Sequence, residues 1–189
     1  ATVNIGKGST LEIKDNSVGL YSAVAGRFNN TFVNKGRMNV SLGKKSTFAY
    51  LDGDSTDVTV NMGSFLNNGI KGINLTAMGE SSSLVYARNK AKAVLNEDFD
   101  ITKGGANSTI ALLGSDDSEV SISSGKTLKT NTNVALAAVG GSTATNEGNI
   151  ISTREPVAAT DKGGIGIYAA DNNSKAINAG NAAITMKGK

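Results

Sequence analysis

The sequence predicts an all-β chain that winds into a parallel β-helix (β-solenoid) of about six coils, with essentially no helix. The prediction depends on a phrase of corner residues and alternating strands that recurs along the chain, and residues 34–50 give one copy. The four tyrosines close copies of this phrase, and two apolar runs without tyrosine, 110–113 and 134–138, fill the gap between Tyr86 and Tyr168. Counting those runs, five steps of about 29 residues separate Tyr21 from Tyr168, enough for three short strands and their corners.

Each part of the phrase has a conformational reason. Alternation of apolar and polar residues is typical of a strand with one buried face. Gly and Asn tolerate positive φ, so they collect where the chain bends between strands. Asn-x-Gly corners start at Asn34, Asn67, Asn146 and Asn178, and Gly-Lys corners start at Gly6, Gly43 and Gly125. Because equivalent residues of stacked coils lie about 4.8 Å apart, we expect asparagine amides to form ladders and aromatic rings to stack.

The composition favours a narrow interior. Only 5% of the 189 residues are aromatic and tryptophan is absent, whereas a globular domain of this size usually centres its core on bulky rings. The single proline, Pro156, is expected outside the inner strands, which must donate N–H groups on both sides, and residues 152–162 are the best candidate for a protruding loop. Disorder is the competing interpretation of a chain rich in Gly, Ser and Asn, but 39% hydrophobic residues argue against it.

Residues 87–96 could form a short helix by propensity, but the repeat favours a strand with Ala91, Ala93 and Leu95 inward. On a strand, the densest cationic group of the chain, Arg88, Lys90 and Lys92, would stand on one face. We expect that face to be solvated, and contact with an anionic glycan or an acidic protein is the alternative.

The chain has no cysteine and no histidine. These absences exclude cysteine nucleophiles, Ser-His-Asp triads and thiolate or imidazole metal sites. Asp116 and Asp117 are adjacent in a turn-like Gly-Ser-Asp-Asp-Ser segment, so we expect a solvated loop rather than a catalytic pair. The sequence therefore predicts no enzymatic activity, no catalytic residue and no cofactor.

Two further motifs do not meet the requirements of a ligand site. Asp52, Asp54 and Asp57 have a partial likeness to a calcium loop, but glycine is at the second position instead of the sixth and Gly63 takes the place of the twelfth-position glutamate. The Gly-Lys corners lack the pattern of a phosphate-binding loop and are expected to be turns that carry a solvated charge. We predict no metal site. Nucleic acid is not an expected partner either, because the net charge of +3 comes from lysines scattered among acids.

No internal linker is evident, so we expect one domain over residues 1–189. The chain opens in a strand, with no sign of a signal peptide, and stops just after the strand at 183–186. No run approaches the roughly 18 apolar residues that a membrane-spanning helix needs. A solenoid cut in this way would expose sheet edges that natural solenoids cap, which predicts a segment of a longer protein.

Three phrases carry a resemblance to a known family: Val-Gly-Leu-Tyr-Ser-Ala at 18–23, Phe-Val-Asn-Lys-Gly-Arg-Met-Asn-Val at 32–40 and Gly-Ile-Gly-Ile-Tyr-Ala-Ala at 164–170. They resemble repeats of the very large type V autotransporter passengers of Gram-negative bacteria and are most similar to those of fusobacterial adhesins. The resemblance implies a right-handed parallel β-helix, exported across the outer membrane and displayed on the cell surface. It also implies a tether through a C-terminal outer-membrane barrel, which these residues do not include.

The resemblance further implies adhesion to host cells or to other bacteria, by a monomeric rod that binds a surface protein or glycan. A stiff rod can present many modest contacts that gain strength through avidity. The candidate contact regions are the departures from the repeat, at 26–31, 52–57, 115–118, 140–146 and 152–162. Within them the bulky or charged candidates for binding are Arg27, Phe28, Arg154 and Glu155.

Two alternatives stay open. The segment could be a spacer of the rod that binds no ligand. It could also be an enzyme that acts on polysaccharides, since parallel β-helices host lyases and hydrolases whose acids cluster on one face of adjacent coils. The acids of this chain lie in separated turns, which disfavours the enzyme.

Overall fold

The computed structural model describes residues 2–5, 8–23, 31–34, 37–54, 58–62, 66, 72–101, 103–104, 107–156, 158, 160–161 and 163–187. In chain order these residues form β1 (Thr2–Ile5), β2 (Thr10–Ile13), β3 (Val18–Ala23), β4 (Thr31–Asn34), β5 (Arg37–Leu42), β6 (Thr47–Asp52), β7 (Val58–Asn61), β8 (Gly72–Met78), β9 (Ser83–Arg88), β10 (Ala91–Leu95), β11 (Phe99–Ile101), β12 (Ile110–Gly114), β13 (Glu119–Ile122), β14 (Thr127–Thr130), β15 (Val134–Ala138), β16 (Thr143–Asn146), β17 (Asn149–Ser152), β18 (Ile165–Ala169), β19 (Lys175–Asn178) and β20 (Ala183–Met186). Among the described residues, one hydrogen bond of helical spacing, from the Leu66 N–H to the Met62 carbonyl, is the whole of the helical structure.

Three strands make one coil, and each coil gives one strand to each of three faces. The third face is a continuous sheet of six strands in the order β18-β15-β12-β9-β6-β3. The first face consists of the pair β1-β4 and the sheet β19-β16-β13-β10-β7, and the second of the sheets β2-β5-β8 and β11-β14-β17-β20. Neighbouring strands run parallel in all three faces. The predicted all-β parallel β-helix of about six coils is confirmed.

The four tyrosines occupy equivalent positions in the coils that contain them. Tyr21 lies opposite Tyr50, and Tyr50 lies opposite Tyr86. The same register continues through the two apolar runs to Tyr168, by way of Leu113 and Ala137. The predicted five steps are confirmed.

Individual coils depart widely from the average length. Along the third face the offset between paired residues is 36 from Thr47 to Ser83 and 24 from Ile110 to Val134. The strands keep similar lengths, so the corners absorb the difference. Pro156 lies in one of these connections, between β17 and β18, as predicted.

The interior is filled mainly by aliphatic side chains that alternate with outward residues. In β10 the side chains of Ala91, Ala93 and Leu95 are buried while those of Lys92 and Val94 are half-exposed, which confirms the strand and rules out the helix at 87–96. Burial of this kind is the main stabilising contribution, at about 25 cal/mol per Å² of apolar surface.

The corners continue the hydrogen bonding of the strands. At the corner between the second and third faces, the left-handed residues include Asn16, Lys45 and Ser81. Their N–H groups donate to carbonyls of the next coil at 2.8, 2.8 and 2.9 Å. A positive φ has a steric cost for Lys and Ser but not for Gly. These hydrogen bonds therefore stabilise a backbone conformation that Lys45 and Ser81 do not favour by themselves.

The asparagine ladders are confirmed, but the Gly-Lys corners are not equivalent. Asn146 donates to Asn178 at 2.8 Å and Asn74 donates to Asn39 at 2.9 Å, in each case between adjacent coils. The Gly-Lys corner at Gly43 joins the second face to the third, whereas the corner that starts at Gly125 joins the first face to the second, and Gly6 lies outside the described residues. Similar local turn sequences therefore serve different corners.

We predict that adjacent leucines of β12 differ sharply in their contribution to stability. Leu112 is fully buried, so Leu112→Ala should lower the free energy of unfolding by about 2–5 kcal/mol. Leu113 points outward and is half-exposed, so Leu113→Ala should cost less than about 1 kcal/mol. Urea unfolding followed by circular dichroism measures both, and equal losses would contradict the alternation.

Candidate functional site

Three exposed or half-exposed tyrosines form a contact column on the outer surface of the third face. The ring centroids of Tyr21 and Tyr50 are 5.4 Å apart with the planes tilted by 30°, and those of Tyr50 and Tyr86 are 5.0 Å apart and edge-on at 81°. Both geometries are favourable for aromatic pairs. Tyr21 is 58% exposed. We call Tyr21, Tyr50 and Tyr86 the tyrosine column.

A row of polar groups lies beside the tyrosine column. Residues two positions after a tyrosine share its face of the strand, which places Asp52 and Arg88 next to Tyr50 and Tyr86 and opposite each other in the register. Asn89 lies just beyond the end of β9, and Ser115 and Asp116 lie just beyond the end of the neighbouring strand β12. We call Asp52, Arg88, Asn89, Ser115 and Asp116 the polar flank.

Hydrogen bonds tie the column to the polar flank. Arg88 donates to the Tyr50 hydroxyl at 3.0 Å, and its Nε lies 3.4 Å from an Asp116 carboxylate oxygen. The hydroxyls of Tyr86 and Ser115 are 2.9 Å apart, and Asn89 donates to Asp52 at 2.8 Å. The polar flank is therefore an ordered set of donors and acceptors before any ligand arrives.

These contacts change the pKa values of two side chains of the site, Asp52 and Tyr50. Burial would raise the pKa of Asp52, but hydrogen bonds from Asn89, from the Asp54 N–H and from Tyr21, together with the charge of Arg88, lower it below its ordinary value. Asp52 therefore stays ionised at neutral pH. Burial raises the pKa of the Tyr50 hydroxyl, and the hydrogen bond and charge of Arg88 offset part of that rise.

The corner after β9 places Arg88 and Lys92 on different faces of the coil. Asn89 and Lys90 both have positive φ, at 53° and 67°, and together they turn the chain onto the first face. Arg88 remains on the third face, while Lys92 lies on the first face, 3.2 Å from Glu119. The expectation that Arg88, Lys90 and Lys92 share one face is therefore wrong.

The adjacent carboxylates of the next corner point to different coils. The Asp116 carboxylate faces Arg88, whereas that of Asp117 lies so close to Gly141 that a Cβ there would be 2.5 Å from it. The solvated turn is confirmed, and the two acids do not form a pair. Within the described part of the chain, no three acidic side chains come together in a group that could hold a metal ion.

The residues predicted to bind a partner have different placements. Arg27 and Phe28 lie outside the described residues, as does Asp57 of the suggested calcium loop. Arg154 is only 4% exposed and pairs with Asp161 at 2.9 Å, so the expectation of a surface contact at Arg154 is wrong. Asp161 also accepts the Gly163 N–H at 2.9 Å, which closes the loop on itself.

Glu155 is exposed, as expected for a contact residue, and pairs with Lys187 of the next coil. Its hydrogen bond with Lys187 and the lysine charge lower the pKa of its carboxyl group. It stands apart from the tyrosine column, so the structure does not join it to the candidate site.

Sequence reasoning missed the polar flank, although a signal for it was present. Tyr50-Leu51-Asp52 and Tyr86-Ala87-Arg88 both place a charged residue two positions after a tyrosine. In a strand this spacing keeps the two side chains on one face. The sequence does not show that Asp52 and Arg88 lie opposite each other, because they are 36 residues apart and their pairing depends on how the coils stack.

The far end of the same face differs in character. Tyr168 is 43% exposed and borders a groove of about 270 Å³ that is also lined by Ile110, Val134 and Ile165 and by the polar residues Ser108 and Asn133. The surroundings of Tyr168 are thus mostly apolar, whereas charged and hydrogen-bonding groups flank Tyr50 and Tyr86. Tyr168 is therefore a matched control for the tyrosine column.

No protein-family model, curated protein or solved structure matches this chain. The described residues include no helix long and apolar enough to cross a bilayer. The site is therefore characterised by its own geometry.

We predict that the buried pair holds the loop between β17 and β18. Arg154→Met removes the guanidinium beside a carboxylate that is only 16% exposed, and should lower the free energy of unfolding by about 3 kcal/mol. Glu155→Gln, which changes an exposed neighbour, should leave the urea midpoint nearly unchanged. A wild-type midpoint for Arg154→Met would show that the pair does not hold the loop.

We also predict that Tyr50 ionises above pH 10. The raised pKa means that the neutral phenol is favoured in the folded chain, so this contribution to stability is present below about pH 10 and is lost as the pH rises through the folded-state pKa. The difference between ultraviolet titrations of the wild type and Tyr50→Phe should therefore have its midpoint above pH 10. A midpoint below pH 10 would contradict the effect of burial.

Proposed function

We propose that this chain is a passenger segment of an autotransporter-type adhesin on the surface of a Gram-negative bacterium. In this proposal the tyrosine column and polar flank provide contacts for attachment to a host cell or another bacterium. The observation that carries the proposal is the tyrosine column itself, which stands on a sheet that, among the described strands, is continuous through six coils. Its partner is a surface protein or a glycan.

Preorganisation supports a binding role. Tyrosine offers a large contact area with few rotatable bonds, and it is frequent among the residues that dominate binding energy. Arg88 and Asp52 are already held by Tyr50 and Asn89, so little side-chain entropy is lost when a partner binds. Repetition of such faces along a rod would convert modest affinities into firm attachment.

A contrast between the faces favours binding over a spacer role. Outward positions of the first and second faces carry pairs of opposite charge between adjacent coils, such as Lys92 with Glu119 and Lys129 with Asp100. Such pairs suit a solvated surface and offer little to a partner. The third face instead exposes aromatic rings, whose exposure a spacer does not require.

The proposal predicts that attachment depends on the tyrosine column. Microspheres coated with the purified chain should adhere to epithelial cells or to bacterial cells, and the double substitution Tyr21→Ala with Tyr50→Ala should reduce the adherent count severalfold. The loss would come from the removed contact area, since both side chains lie outside the core.

Tyr168→Ala is the matched control, because it removes a ring from the same register column without touching the polar flank. Its microspheres should adhere as the wild type does. If coated microspheres adhere no better than albumin-coated ones, the segment is a spacer and the proposed function is wrong.

A further inference from the structure

We infer that the tyrosine column and its polar flank bind an uncharged oligosaccharide of pyranose units. The inference rests on the proposed function and names the ligand class for that site. A pyranose presents an apolar face of C–H groups and a rim of hydroxyls. It therefore needs an aromatic surface with fixed donors and acceptors at its edge, which is the usual composition of a small-ligand site.

The site offers both parts of that requirement. The Tyr21 ring is the most exposed of the column and hydrogen-bonds to Asp52, so an apolar surface directly adjoins a carboxylate. Asn89 and Arg88 add amide and guanidinium groups along the same edge. Because carboxylate, amide and guanidinium groups are planar, each can meet two neighbouring hydroxyls of a sugar.

The polar flank borders the column where the strands end, which favours a ligand rich in hydroxyls over an apolar peptide. The groove beside Tyr168 is mostly apolar, with Ser108 and Asn133 as its polar residues, and would suit a peptide better. The sugar site is thus confined to the coils with the polar flank.

The charge of the site disfavours an acidic sugar. The described charged residues at this end of the column include the carboxylates of Asp52, Asp54 and Asp116, against the cations of Arg88 and Lys90. Arg88 is moreover engaged by Tyr50 and Asp116. A sialylated or uronate ligand would therefore meet net repulsion, whereas an uncharged one would not.

The spacing of the column favours several linked sugar units. Adjacent coils are about 4.8 Å apart, so Tyr21 and Tyr86 span about 10 Å along the rod. An extended oligosaccharide parallel to the rod can contact more than one coil, while a monosaccharide can contact only one.

Fluorine NMR can test the inference, because the chain has only four tyrosines. The chain is labelled with 3-fluorotyrosine, and Tyr→Phe variants assign the four resonances. Cellohexaose, mannohexaose, sialyllactose and decaproline are then titrated separately to millimolar concentration. We expect at least one of the two uncharged hexasaccharides to shift the Tyr21 resonance and that of Tyr50 or Tyr86, and to leave Tyr168 unshifted.

Substitutions give the second readout. Tyr21→Ala should weaken hexasaccharide binding roughly two- to tenfold, as expected for one aromatic contact, and Tyr168→Ala should not change it. In the free variants, unchanged resonances of the tyrosines that do not contact the substituted ring establish that the fold is kept. The inference is overturned if neither hexasaccharide shifts the column, if Tyr168 shifts instead, or if sialyllactose or decaproline binds the column more tightly.

Failure of this inference can be told apart from failure of the proposed function. If the hexasaccharide binds and Tyr21→Ala weakens that binding but the double substitution leaves microsphere attachment unchanged, the saccharide site stands and the adhesive role of the column is wrong. If attachment depends on the column and no hexasaccharide binds, the adhesive role stands and the partner is a protein.

Discussion

Parallel pairing along the third face is the constraint on which the rest of the molecule depends. Each inner strand uses its N–H and C=O groups on both neighbours, so the register of six coils is fixed by one continuous ladder. A slip of one residue would move Tyr50 from the outer surface into the interior and turn Leu51 out to solvent, at a cost repeated in every coil that slips. The tyrosine column, the polar flank and the core are all consequences of this register.

The other two faces are less continuous, and the difference explains where the candidate site lies. Among the described strands, β4 does not pair with β7 and β8 does not pair with β11, and paired residues of adjacent coils are up to 36 positions apart in this region. The third face runs past both breaks without interruption. A site that needs groups from three successive coils in fixed positions is best supported there, which is where Tyr21, Tyr50 and Tyr86 lie.

The sequence predicted features that depend on local chemistry and missed those that depend on contacts between coils. The two-residue period of the side chains predicts the alternation in the strands and the equivalent positions of the tyrosines. The lack of an N–H group on Pro156 predicts that it lies outside the strands. The burial of Arg154 and the separation of Arg88 from Lys92 do not, because a partner such as Asp161 or a corner such as Asn89-Lys90 decides them in three dimensions. The right-handed sense, the adhesive role and the cell-surface location stay predictions.

Cross-linking tests the stacked register most directly, because the chain has no native cysteine. Ser121 and Thr145 are paired outward residues of β13 and β16, and adjacent strands are about 4.8 Å apart, within reach of a disulfide. The account predicts that Ser121→Cys with Thr145→Cys oxidises readily to an intramolecular bridge, and that Ser121→Cys with Thr143→Cys, two residues out of register, does not. The opposite order, or equal bridging of both pairs, would contradict the stacked parallel coils and with them the tyrosine column.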